Sequence, residues 1–169
     1  DVYKRQAKAG VHALKLQTYT KDTMTIDHSK GEFVVDIDLW KGTNLYDLYD
    51  KAHTPWEWHE EIFKHSRKLG MVPFSTPFDI TAVNFLEKLN VDFYKIASFE
   101  NTDLPLIKAV ASTGKPMIIS TGMATMNEIK TSVNTAKENG CKKIILLKCT
   151  SSYPSSVRES NINGITKLQ

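Results

Sequence analysis

No stretch of this sequence approaches the roughly 20 consecutive apolar residues that a membrane-spanning helix needs, so a helical span within it is excluded. Cysteine is scarce. Cys141 and Cys149 have neither CxxC nor zinc-ligand spacing, which argues against a disulfide framework and a structural zinc site. Reduced thiols in a cytoplasmic protein are the expectation. A glycine-rich phosphate loop is missing, and with it the usual announcement of a doubly wound dinucleotide-binding sheet. A basic face is missing too: the formal charge is only +3 and the lysines are scattered. Neither nucleic acid nor a membrane is therefore an expected partner, whereas a small anion is not excluded.

What is present suits one domain with a substantial core: 169 residues, 41% apolar and 24% charged. A unit recurs along it, made of a helix, a Gly or Asn stop, a short apolar strand and a polar tip. Gly10 precedes "VHALKLQTY", Gly70 "MVPFSTPFD", Asn90 "VDFYKIASFE", Gly114 "KPMIISTGM" and Gly140 "CKKIILLKCTSSYP". Gly or Asn just past a helix is the expected left-handed C-cap. Helix starts are expected at Thr54-Pro55-Trp56-Glu57, with Thr54 as N-cap, and at the capping box Thr125–Glu128. Strands alternating with such helices give parallel βαβ units. Ser75, Ser98 and Ser120 follow one another at intervals of 23 and 22 residues, and Thr150 comes 30 later. That spacing predicts an α/β fold, a partial (β/α)8 barrel of about five consecutive strands with their helices.

Asp1–Gln6 carry no periodic pattern and run into an apparent helix end, while "NINGITKLQ" stops without a helix terminator. The expectation is a piece of a longer chain. Residues 18 to about 53 interrupt the rhythm with a long segment, and long loops in compact domains usually serve function. A short hairpin is expected around "GEFVVDIDLW" and a helical turn at "LYDLYDKA".

In parallel βα architectures ligands bind at the carboxyl ends of the strands. The candidate site is therefore the set of tips: Lys15 and Gln17; Ser75 and Thr76; Lys95, Ser98 and Glu100; Ser120 and Thr121; Thr150, Ser151, Ser152 and Tyr153. They are rich in amines and hydroxyls and poor in carboxylates, which suits a phosphate or carboxylate ligand near helix N-termini. A single Ser or Thr after a strand is usually only the next helix's N-cap, and Lys95 alone could extend to solvent. Recurrence at five strand ends outweighs both readings. Strict alternation places Lys95 on the opposite face from Ser98 and Glu100, so a shared site requires the strand to end near Ala97 and the backbone to turn.

Other constellations carry less. His59-Glu60-Glu61 with His65 has its second histidine at i+6 and makes a poor metal pair. Trp56 and Trp58 are read as packing aromatics, with a sugar platform as the alternative. Lys148 is ambiguous between the two sheet faces and is a candidate Schiff-base amine.

At the tips, "LKLQTY", "FSTPFD", "YKIASFE", "DLPLIKAVASTGKPMIISTGMAT" and "LLKCTSSYP" resemble the successive strand ends of the sialic acid synthase family. "DLWKGTNLYDLYDKAHTPWEWHEEIFKHSRKLG" is similar more narrowly to its pseudaminic acid synthase branch. The resemblance implies a transferase that condenses phosphoenolpyruvate with the aldehyde of an acylated amino sugar, giving a nine-carbon 2-keto acid and phosphate. It implies Lys15, Thr76, Lys95, Ser98 and Ser120 at phosphoenolpyruvate, Gln17 and Tyr153 towards the sugar or the forming bond, and Glu100 as an acid that handles a proton or orients water. Ser151 stands where sialate-making members carry Asn. A divalent cation, Mn²⁺ or Mg²⁺, is implied as Lewis acid, with its two histidine ligands outside this chain. Also implied outside it are the first strand, the last strands and a small antifreeze-like C-terminal domain that reaches into a partner's site in a homodimer. The fragment alone is expected to be inactive and poorly stable, because an open barrel leaves strand edges unpaired. Two other readings compete: a Schiff-base aldolase using Lys95 or Lys148, and a non-catalytic sugar-phosphate binding module.

Overall fold

A computed structural model describes residues 2–36, 40–152 and 154–168. Five strands form one sheet: β1 (Ala13–Thr18), β2 (Val72–Pro77), β3 (Tyr94–Ile96), β4 (Met117–Ser120) and β5 (Ile144–Leu147). Their spatial order is β1-β2-β3-β4-β5, and every neighbouring pair is parallel. A doubly wound sheet reverses its strand order partway; here each strand lies beside the next, as in a barrel wall.

Helices α1 (Val2–Lys8), α2 (Lys21–Met24) and α3 (Leu45–Ala52) precede the four that cross between strands: α4 (Trp56–Lys68), α5 (Ile80–Lys88), α6 (Leu104–Ala111) and α7 (Met126–Glu138). The predicted helix stops hold. Gly10, Gly70, Asn90, Gly114 and Gly140 all have positive φ, and Asn90, at 51°, is the one non-glycine among them. The capping box at α7 is present, with Thr125 N–H and Oγ1 donating to Glu128 Oε2 and the Glu128 N–H donating back to Thr125 Oγ1. The start of α4 differs: Pro55, in extended geometry, is the N-cap in place of Thr54, so the helix begins one residue later.

The core lies between the sheet and these helices. Alternation along each strand sends Tyr94 and Ile96, Met117 and Ile119 into it, packed on Leu86, Leu106, Ile107 and Val110. Each such side chain contributes about 1.5–3 kcal/mol by leaving water. Tyr94 keeps its hydroxyl satisfied by donating to Glu87 Oε1 at 2.7 Å, and Lys115 Nζ reaches the same oxygen.

The long segment after β1 folds against the carboxyl end of the sheet. The expected helical turn is α3, capped by Asn44. The expected hairpin is partly visible: a 3-10 turn spans Gly31–Phe33, and Val34 pairs antiparallel with Asn44; Ile37, Asp38 and Leu39 lie outside the described residues. Tyr46 Oη donates to Asp22 Oδ1 at 2.6 Å, fastening α3 to α2. Trp56 packs on Phe85 with ring centroids 4.7 Å apart and donates to the Tyr19 carbonyl, whereas Trp58 is exposed and packs little.

Candidate active site

The odd-numbered residues of β1 and β3 and the even-numbered ones of β2 and β4 point away from the helices, to the concave side of the sheet. Register places Gln17 beside Thr76, Lys15 beside Phe74 and Ser120 beside Leu147. At the carboxyl end a cavity of about 720 Å³ opens, lined by Lys15, Gln17, Thr76, Lys95, Ser98, Glu100, Ser120 and Ser151. These eight are among the expected site residues, whereas Ser75, Thr121, Thr150 and Ser152, also expected at the tips, do not line it. Tyr153 lies outside the described residues.

The conflict of alternation is resolved as the sequence required. Strand β3 ends at Ile96, Ser98 turns into helical geometry (φ −62°, ψ −38°), and Phe99–Thr102 form a 3-10 helix. That turn swings Ser98 and Glu100 round to the side on which Lys95 already stands. Asn101, fully buried, holds it: its amide donates to the Ser120 carbonyl at 3.1 Å, and Ser132 donates to its Oδ1 at 2.9 Å.

Inside the cavity Lys95 Nζ donates to Ser120 Oγ at 2.8 Å. Burial lowers the Lys95 pKa, against the opposing influence of Cys149 and Glu100. Lys15 is lowered as well, first by burial among the cavity walls and then by the like charge of Lys95. Glu100 is raised, chiefly by burial. Two buried side-chain atoms here have no protein partner: Thr76 Oγ1 and Glu100 Oε2. A buried polar group without a hydrogen bond costs about 1–3 kcal/mol, so a cavity that collects two of them beside two ammonium groups is adapted to a polar, anionic ligand.

Most tip hydroxyls are not ordinary caps. Helix α5 is capped by Asp79, α6 by Asp103 and α7 by Thr125, each using its own side chain on backbone amides of the first turn. Those caps engage one or two amides of each first turn, and the polar groups that line the cavity are side chains of the strand ends. Other tips serve the scaffold. Ser75 lies on the helix-facing side, 2.7 Å from Thr18 Oγ1. Thr121 donates to the Leu147 carbonyl. Lys148 donates to the Ser160 carbonyl at 2.6 Å and lines a separate groove with Val133, Ile144 and Leu146, so it is not a Schiff-base candidate for this cavity. His59 is bonded to Thr18 and His65 meets the Tyr3 ring edge-on, so the two imidazoles have separate partners.

The cavity also holds residues that sequence reasoning passed over: Cys149, Leu147, Phe99, and the apolar wall of Met24, Tyr49 and Phe78. Cys149 was within reach, because it shares the parity of Ile145, Leu147 and Ser151. The wall comes from the long segment, where no periodicity marks which side chain turns inward. Gly122 was missed too. Its N–H donates to Ser98 Oγ at 3.2 Å, and a Cβ there would meet Ser151 Oγ and stand 2.8 Å from Ser98 Oγ and 3.3 Å from Ser98 Cβ. Gly122→Ala is expected to cost only about 1–3 kcal/mol of stability, because the hydroxyls can rotate away. Those same hydroxyls face the cavity, so ligand affinity should fall by roughly tenfold or about 1.4 kcal/mol, read by titration beside a melting curve.

The fold is thus a parallel βα wall of partial-barrel type whose carboxyl-end segments gather amines and hydroxyls around one cavity. The chain belongs to the NeuB family, whose model matches residues 3–169. It is 44% identical over 161 residues to a pseudaminic acid synthase of Helicobacter pylori, covering 95% of this chain and 47% of that protein. It is 40% identical over 166 residues to a pseudaminic acid synthase of Campylobacter jejuni, covering 98% and 48%. The chain thus spans about half the length of the curated relatives it matches. Among solved structures, the N-acetylneuraminic acid (sialic acid) synthetase of Leptospira borgpetersenii superposes with a TM-score of 0.85 at 28% identity, over 98% of this chain and 53% of that one. A truncated 3-deoxy-D-arabino-heptulosonate 7-phosphate synthase from Thermotoga maritima, at 15% identity and TM-score 0.67, shares the fold.

Proposed function

We propose that this chain carries the phosphoenolpyruvate-binding part of an enzyme that condenses phosphoenolpyruvate with the open-chain aldehyde of an acylated amino sugar, as a pseudaminic acid synthase does. The observation that carries this reading is the convergence of Lys15, Lys95, Thr76, Ser98 and Ser120 on one cavity with Glu100 at its edge. Phosphoenolpyruvate has two anionic ends, and two ammonium groups with several hydroxyls match both. Carbon 3 bonds to the aldehyde carbon, water adds at carbon 2, and the carbon 2–oxygen bond to phosphate breaks, giving a nine-carbon 2-keto acid and inorganic phosphate. Lys15 and Lys95 neutralise the phosphate and the carboxylate. Glu100, as carboxylate, takes a proton from or orients the incoming water. Gln17 and Ser151, which line the same cavity, are assigned to the sugar, and Tyr153 keeps the role that the family resemblance implies.

Among the described residues no three His, Cys, Asp or Glu gather to hold a metal ion. A divalent cation, Mn²⁺ or Mg²⁺, belongs to the proposal with ligands outside this chain, where it would act as a Lewis acid on the aldehyde. Among the described residues no helix is long and apolar enough to cross a membrane. A cytoplasmic homodimer, without nucleic acid or membrane partners, completes the reading, as does a barrel domain of which this chain is the middle.

The test is metal-dependent phosphate release by the complete protein, with product masses from N-acetylmannosamine and from a 2,4-diacetamido-6-deoxy hexose. Turnover of the second sugar supports the pseudaminic reading. Turnover of the first alone makes the protein an N-acetylneuraminate synthase, and release with neither removes the proposal. The lowered pKa of Lys95 favours one rival, a Schiff-base aldolase. Borohydride with pyruvate would then leave a covalent adduct; an unmodified mass eliminates it.

A further inference from the structure

We infer that His59 is a positioning residue for the cavity, acting through Thr18 and Ser75 from the opposite face of the sheet. The inference rests on reading the cavity as a phosphoenolpyruvate site. His59 is fully buried on α4 and touches nothing in the cavity. Its Nε2 lies 2.9 Å from Thr18 Oγ1, and Thr18 Oγ1 lies 2.7 Å from Ser75 Oγ. Its Nδ1 lies 3.2 Å from the Pro55 carbonyl.

Donor and acceptor rules give this chain a direction. A carbonyl only accepts, so Nδ1 carries the hydrogen and donates to Pro55. Nε2 is then the acceptor, and Thr18 donates to it. With its one hydrogen used, Thr18 can only accept from Ser75. Burial lowers the His59 pKa and so favours the neutral ring that this order needs. All three polar groups are buried and mutually satisfied, which makes the arrangement hard to rearrange.

The chain's location gives it a functional consequence. Thr18 follows Gln17 directly, and Ser75 directly precedes Thr76. Gln17 and Thr76 are register partners on the cavity face. A hydroxyl clasp on the back of the sheet therefore sets the spacing of the two strand ends whose front faces carry Gln17 and the unpartnered Thr76 Oγ1. Loss of the clasp lets β1 and β2 slide or twist at their tips, where displacements of an ångström are costly to a bound substrate.

The test is the affinity of the complete protein for phosphoenolpyruvate, measured by calorimetry on His59→Leu, Thr18→Val and the double variant, with melting curves confirming that each is folded. Each single change is expected to weaken binding about tenfold, and the double change hardly more, because one chain is broken once. His59→Gln, which restores an acceptor for Thr18, should return affinity to within about threefold of wild type. A role confined to stability would lower melting temperatures and leave the affinity of the folded protein unchanged, and that result overturns the inference. Should His59→Leu fail to fold, the near-isosteric Thr18→Val decides by the same criterion. Wild-type protein that binds no phosphoenolpyruvate overturns the reading of the cavity, and the inference with it. Variants that bind as wild type overturn the inference alone.

Discussion

Replacing Lys95 by methionine should lower kcat/KM for phosphoenolpyruvate by roughly a thousandfold, or about 4 kcal/mol, within the 2–5 kcal/mol that loss of one partner of a buried charge pair costs. Methionine keeps most of the stem's volume, so the expected loss is of charge. The ammonium group is held by Ser120 Oγ at 2.8 Å, pre-aimed by a side chain that itself lines the cavity. Removing it leaves the anion facing Lys15 alone and Ser120 without its donor. Lys95→Arg should not rescue fully, since a planar guanidinium cannot reproduce the point charge between Ser120 and the ligand. Folding should survive, because burial already disfavours the ammonium form of Lys95 in the unliganded protein. Steady-state kinetics beside a melting curve check this. Unchanged kinetics in a folded Lys95→Met protein would remove Lys95 from the site.

The second large effect is expected from Glu100→Gln, a loss of roughly 10²–10⁴ in kcat, the usual range for a group that manages a proton in the transition state. Burial raises the Glu100 pKa above the ordinary glutamate value. Acting as a carboxylate, it loses competence as pH falls through that raised value, so the acid limb of the rate profile should begin at a higher pH than for an exposed glutamate. Glu100→Gln should abolish that limb. The sign for stability is opposite. A folded-state pKa above the unfolded one means that folding binds protons, so this group's contribution declines as pH rises from the unfolded pKa through the folded one. At neutral pH the amide variant should therefore melt higher while turning over more slowly. A profile whose acid limb persists in Glu100→Gln assigns the titration to another group.

Much of this was legible because strands and helices repeat with different periods. Gly and Asn stops marked where helices end, and the intervals between Ser75, Ser98 and Ser120 foretold strands laid side by side in order. The clash of parity between Lys95 and Ser98 set a condition for a shared site, a backbone turn near Ala97, which the turn after Ile96 meets. What could not be read is which hydroxyls the scaffold itself consumes. Ser75 and Thr121 look like Thr76 and Ser120 in sequence, yet Thr18 and the Leu147 carbonyl claim them, and those partners lie on other strands. Lys148 carried the right chemistry and faces the helix side. The apolar wall of Met24, Tyr49 and Phe78 belongs to no repeat; tertiary packing alone brings it to the cavity. Gly122 reads as a turn residue, and only the approach of Ser98 and Ser151 shows why a side chain there would intrude.

Calorimetric titration of phosphoenolpyruvate into the complete protein, compared with its Lys15→Met, Lys95→Met double variant, bears most directly on the proposed site. One saturable site per chain, displaced by inorganic phosphate and lost in the folded double variant, is the result expected. Equal affinity in both proteins would mean that the anion binds elsewhere.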